Sequence, residues 1–149
     1  MREGMALSVH AEYCRKLREI GSKLGYNSEK VKTPLGFADV MWLKKIWPFS
    51  EGIEMPVAVF EVVSSEDQKT LRTSLMNMLS MQPLVAVFVL IKDEIKKHVK
   101  RTDRDMPEQW LDRINKYVDN LTTEYSSFIR IEKWEEKKVE QLYIKHCST

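Results

Sequence analysis

Val57-Ala-Val-Phe-Glu-Val-Val63 is the stretch that decides the fold. Side chains alternate along an extended chain, so Val57, Val59, Glu61 and Val63 share one face and Ala58, Phe60 and Val62 the other. Both faces are apolar apart from Glu61. A strand covered on both sides belongs in the middle of a sheet. A second lone carboxylate, Asp39, sits about twenty residues earlier in a similar run, Phe37-Ala-Asp-Val-Met-Trp-Leu43.

Outward from these two strands the pattern is α/β. Leu17, Ile20 and Leu24 recur at helical spacing after Val9 and Tyr13, predicting a helix from Ser8 to about Leu24 that stops at Gly25. Tyr26 to Leu35 reads as a short strand or turn around Val31, with Pro34 and Gly36 breaking the chain before the strand Phe37 to Leu43. Lys44 to Met55 reads as a loop making a hairpin-like excursion. After Val63, Ser65 with Gln68 is a capping-box pattern. It opens a helix whose stripe is Leu71, Leu75, Met78 and Gln82, ended by Pro83. Leu84 to Ile91 is another doubly buried strand. Strand, helix, strand at this spacing predicts a right-handed crossover to a parallel neighbour. A charged helical piece then runs from Lys92 to about Arg101. Pro107 opens an amphipathic helix carrying Trp110, Ile114, Val118 and Leu121. Phe128 to Trp134 has an edge-strand pattern. The tail from Glu135 to Thr149 reads as a short helix plus a strand, or a frayed end.

A chain of 149 residues with 43% hydrophobic and 31% charged residues fits one globular domain over residues 1–149. No apolar stretch approaches the roughly 20 residues that span a bilayer, and Met1 to Ser8 lacks a signal-peptide core. The expectation is a cytoplasmic protein without membrane association. Cys14 and Cys147 form no C-x-x-C motif, and free thiols are expected. His10, His98 and His146 show no zinc-motif spacing. No P-loop, G-x-S-x-G or dinucleotide fingerprint is present, which excludes those classes and any small-molecule cofactor they would bring. The net charge of +2 does not by itself demand a nucleic-acid partner. Between Lys92 and Arg104, however, six basic residues stand against three acidic ones. Lys96, Lys97, Lys100 and Arg101 are candidates to meet a phosphate backbone, against the plainer reading of a solvated helix face. Lys44, Lys45 and Trp47 form a second candidate surface, because basic residues flank an aromatic ring there. The other tryptophans read as packing, and Met76, Met78 and Met81 as core filler or an oligomer face.

The order helix, three strands, helix, strand, with Asp on the second strand and Glu on the third, resembles the PD-(D/E)xK, or restriction-endonuclease-like, superfamily. His10-Ala-Glu12, Leu24-Gly-Tyr26, Asp39-Val-Met-Trp42, Pro56-Val-Ala-Val-Phe-Glu-Val62, Ser64 and Leu79-Ser-Met-Gln-Pro83 are similar to a group of small prokaryotic, often archaeal, members. The resemblance covers Ser8 to Ile91. It implies an αβββαβ core, a central mixed sheet flanked by helices, and a metal-dependent DNA nuclease, often homodimeric. Mg²⁺ or Mn²⁺ would be held by Asp39 and Glu61, with Glu12 matching a first-helix glutamate that some members use. Such a site suits the chemistry, since Mg²⁺ takes oxygen ligands and can activate water while stabilising phosphoryl charge.

The pattern departs at Val63, where the superfamily carries a catalytic lysine two residues after the Glu. Lys69, from the following helix, is the candidate replacement. Metal-only catalysis, or a catalytically inactive module for nucleic-acid binding or protein interaction, are the alternatives. The structural alternative for the carboxylates is that Asp39 serves a turn, Glu61 pairs with Lys69 or Arg72, and Glu12 pairs with Lys16.

Overall fold

The protein is described by a computed structural model over residues 8–99 and 106–148, the side chains of 50–52 excepted. The elements run α1 (Val9–Lys23), β1 (Lys32–Thr33), β2 (Gly36–Phe37), β3 (Val40–Ile46), β4 (Phe49–Val63), α2 (Gln68–Leu79), β5 (Val85–Leu90), α3 (Lys92–Lys97), α4 (Pro107–Glu124), β6 (Arg130–Glu135) and α5 (Glu136–Cys147). This is an α/β protein with a four-stranded mixed sheet ordered β3-β4-β5-β6 and flanked by helices. β3 runs antiparallel to β4, whereas β4, β5 and β6 are mutually parallel. Among the described residues no helix is long and apolar enough to cross a membrane.

Alternation along the central strands splits the core into two layers. Val59 and Val63 pack with Phe88, with Leu71, Leu75 and Met78 of α2, and with Trp110, Ile114, Val118 and Leu121 of α4. Phe60 and Val62 face the opposite way, against Cys14, Leu17 and Ile20 of α1 and Val139 of α5. Phe60, Phe88 and Leu71, Leu75 and Met78 of α2 are fully buried, with Gln82 exposed beyond the helix end, and each such buried side chain contributes about 1.5–3 kcal/mol of transfer free energy.

On the α1 side the layers touch closely. The Trp42 indole N–H donates to the Leu17 carbonyl at 3.0 Å, and the ring packs among Tyr26, Phe60 and Trp134. Gly21 makes room for it: a Cβ there would lie 2.4 Å from Trp42 Nε1. α1 is capped by Ser8, whose side chain accepts from the Ala11 N–H, and Gly25 follows it at φ +94° as expected for a left-handed stop.

Four sequence expectations are corrected. The stretch Lys44 to Met55 is no loop. β3 and β4 continue through it as a hairpin arm that turns at Trp47 and Pro48, with register shifts between Trp42 and Leu43 and between Lys45 and Ile46. α2 is capped by Asp67, whose carboxylate accepts from the Thr70 N–H at 2.9 Å, in place of Ser65. Phe37 belongs to the small β1–β2 hairpin, and the chain before it makes a backbone bridge to the sheet at Asn27–Leu43. The polar tail is an ordered twelve-residue helix, α5, packed on α1 with Lys16 paired to Glu140 at 2.5 Å.

Candidate functional site

β3 and β4 bring the two carboxylates together through register. Val40 pairs with Phe60, so the antiparallel ladder continued by one residue sets Asp39 opposite Glu61. Asp39 stands just ahead of β3. Its Oδ2 accepts the Val62 backbone N–H at 2.7 Å, and the His10 Nε2 lies 3.3 Å from the same oxygen. Glu61 points into the α2 side of the sheet and accepts from the Ser74 hydroxyl at 3.1 Å. Glu66 caps the end of β4, its carboxylate accepting from the Ser64 and Ser65 N–H groups at 2.7 and 3.0 Å. The cluster lies at the carboxyl ends of parallel strands β4 and β5, the end at which α/β sheets bind ligands.

The electrostatics follow from burial and like charge. Glu61 is pushed up to about 9, first by burial, then by the negative charges of Asp39 and Glu66 and by a hydrogen bond with Asp39; the Ser74 bond opposes this. His10 is pushed up to about 11, mainly by its bond to Asp39 and then by Cys14. At neutral pH His10 is therefore an imidazolium and Glu61 a carboxylic acid, each set beside Asp39.

The other sequence-derived residues are placed as follows. Glu12, on α1, makes a two-point contact with Arg15, at 2.6 and 3.3 Å; that partner stands where Lys16 was the expected one. Lys69 is exposed in the first turn of α2, and among the described residues no hydrogen bond or ion pair joins its ammonium to Asp39 or Glu61. Arg72 is committed to Glu124 at 2.7 Å. Val63 is fully buried in the core. Lys44 and Lys45 are exposed on the hairpin arm, and Trp47 at its tip is 83% exposed. By strand rise that surface begins roughly 17 Å from Asp39 and ends roughly 26 Å away. Lys96 contacts Glu108 at 3.1 Å and Lys97 contacts Glu94 at 3.2 Å, so both are partly neutralised. Lys100 and Arg101 lie outside the described residues.

Sequence reasoning missed Ser74, Glu66 and Cys14. Cys14 carried a signal: it is four residues after His10, hence on the same helix face. Ser74 and Glu66 carried none, since only the folded crossover brings them to Glu61.

The fold and site together define an α/β protein with an acid pair at the carboxyl edge of its sheet. No protein-family model, curated protein or solved structure matches the chain.

Proposed function

We propose that this chain is a restriction-endonuclease-like, divalent-metal-dependent DNA nuclease whose Mg²⁺ or Mn²⁺ is held by Asp39 and Glu61. One observation carries the reading: Glu61, half-buried, lies beside Asp39 at a cost in electrostatic free energy that no ion pair with a lysine or arginine among the described residues relieves. Perturbed carboxyl groups of this kind concentrate at functional sites. The donor set fits a hard cation, because both groups offer oxygens and their mutual repulsion ends when a divalent charge replaces the shared proton. When bound, Mg²⁺ supplies an activated water and charge stabilisation at the phosphoryl oxygens. The chain's own residues fix the donors: the Val62 N–H orients Asp39, and the Ser74 hydroxyl orients Glu61. The order of α1, the β3–β4 antiparallel pair, α2 and parallel β5 supports the same core. Lys44, Lys45 and Trp47 are proposed to contact DNA, and the protein is proposed to act as a homodimer, which sedimentation tests.

The direct experiment incubates the protein with Mg²⁺ or Mn²⁺ and plasmid, linear duplex, junction or single-stranded DNA, with RNA as a parallel substrate. Glu61→Gln and Asp39→Asn each abolish cutting, and Lys69→Ala reports whether α2 supplies the lysine. Cutting that persists in either carboxylate variant refutes the site.

A second reading keeps the fold without the chemistry, as an inactive module for nucleic-acid binding or protein interaction. Val63 favours it, because a buried valine holds neither a charge nor a water where the superfamily has its lysine. It expects no cutting and unchanged DNA affinity in Asp39→Asn.

A further inference from the structure

We infer that His10, Cys14 and Asp39 form a binding site for a thiophilic divalent cation of the zinc class, distinct from the all-oxygen pair of Asp39 and Glu61. One ligand atom from each lies within 4.8 Å of the other two. His10 Nε2 is 3.3 Å from Asp39 Oδ2, and His10 Nδ1 is 3.8 Å from Cys14 Sγ. A tetrahedral zinc with bonds of about 2.0–2.3 Å has ligand–ligand edges of roughly 3.3–3.7 Å. The nitrogen–oxygen edge is formed at Nε2, whereas the sulfur sits against the other ring nitrogen, Nδ1, so binding one ion requires the imidazole to turn until a single nitrogen faces both Asp39 and Cys14.

The scaffold holds the three groups without help from a metal. His10 and Cys14 stand one turn apart on α1, whose position is fixed by the Trp42 bond to the Leu17 carbonyl. Asp39 is held by the Val62 N–H on Oδ2, which leaves that oxygen a further lone pair. The donor set decides the cation. A thiolate with an imidazole suits zinc or cobalt and is a poor match for Mg²⁺. Three protein ligands with His10 and Asp39 partly exposed leave a fourth position open to water, the pattern of a reactive rather than a closed structural site. A Cys–His–Asp nucleophile is the rival reading of these contacts. It is disfavoured because Cys14 is only 6% exposed, too enclosed for a substrate to reach its sulfur.

Only Asp39 is common to this site and to the proposed nuclease centre, and the inference does not rest on that reading. Titration of the reduced, metal-free protein with Co²⁺ reads the sulfur ligand directly. A thiolate-to-cobalt charge-transfer band is expected to saturate at equimolar metal and to disappear on adding zinc. Cys14→Ser abolishes the band, Cys147→Ser and Glu61→Gln retain it, and His10→Ala weakens cobalt binding tenfold or more. A missing band overturns the site, as does a band that survives Cys14→Ser. Should Cys14→Ser fail to fold, His10→Ala, at a partly exposed position, decides alone: unchanged affinity overturns the inference. Loss of DNA cutting in Glu61→Gln beside an intact cobalt band separates the two centres, and absence of cutting in every form leaves the cobalt result standing.

Discussion

Replacing Glu61 by glutamine is expected to stabilise the metal-free protein, by an amount that grows with pH. In the unfolded chain the Glu61 carboxyl ionises around its ordinary 4.5, whereas in the fold it holds its proton to about 9. The stability linked to that proton is fully present below pH 4.5 and is lost as pH rises toward 9, because across this window the folded state binds one more proton than the unfolded state. Each pH unit is worth about 1.4 kcal/mol, so moving from about pH 5.5 to about pH 8.5 costs the wild type at most about 4 kcal/mol from this group. Relaxation around the ionised pair lowers the working figure to roughly 2–3 kcal/mol. Glutamine has no proton to lose, still accepts from Ser74, and offers its amide N–H toward Asp39 as the neutral acid does. His10 titrates in both proteins and largely cancels from the comparison. For a chain of this length, 2–3 kcal/mol is a Tm difference of about 4–12 °C. Thermal unfolding in EDTA, followed by circular dichroism at both pH values, measures it. A Glu61→Gln protein no more stable than wild type at the higher pH, or a gap that does not widen with pH, would refute the buried-acid reasoning.

Other consequences are open to measurement. Mn²⁺ affinity measured by calorimetry should rise about tenfold per pH unit below about 9, as the metal displaces the Glu61 proton; affinity independent of pH from 6 to 8 contradicts that exchange. Gly21→Ala should cost about 1–3 kcal/mol in urea unfolding despite alanine's better helix propensity, because its Cβ meets the fixed Trp42 indole. A neutral or stabilising result there would show that the ring can move. Lys44→Ala with Lys45→Ala should weaken duplex binding and lower the salt slope by about 2, whereas Trp47→Ala should act mainly on single strands, at about 1–3 kcal/mol. Unchanged binding isotherms in both would remove the arm from the DNA surface.

Much of the fold was legible because burial on two faces leaves a strong mark. The Val57 to Val63 and Leu84 to Ile91 runs, and the stripe Leu71, Leu75 and Met78, could hardly have been placed elsewhere. The arm was hidden by Gly52 and Pro56, residues that ordinarily punctuate loops. Pro56 is tolerated because it faces Leu43 beside the register shift, where Val57 is left without a partner in the β3 ladder. α5 was hidden because only Val139 is fully buried, so its apolar stripe is thin against its charged face. The cap was misplaced because Ser65 and Asp67 both precede suitable first turns, and Glu66 engages the Ser64 and Ser65 amides instead. For the site, the identities of Asp39 and Glu61 were visible, but their opposition depends on a pairing register and not on local pattern. His10 showed no zinc-motif spacing, and its partner became visible only once β3 brought Asp39 to it.

β4 is one unbroken strand from Phe49 to Val63, carrying the arm at one end and Glu61 at the other. That continuity makes it a ruler. Whatever the arm touches is held from the acid pair by a strand whose ladder with β3 is interrupted at Val57 and again between Phe49 and Glu54. Adding two residues to each side of the arm would lengthen the span by about 7 Å, near two base-pair steps, with every side chain still on its original face. Adding one to each would turn the tip over and present Trp47 to the opposite side. The spacing between the arm and the acid pair is thus encoded in a count of residues, adjustable only in even steps.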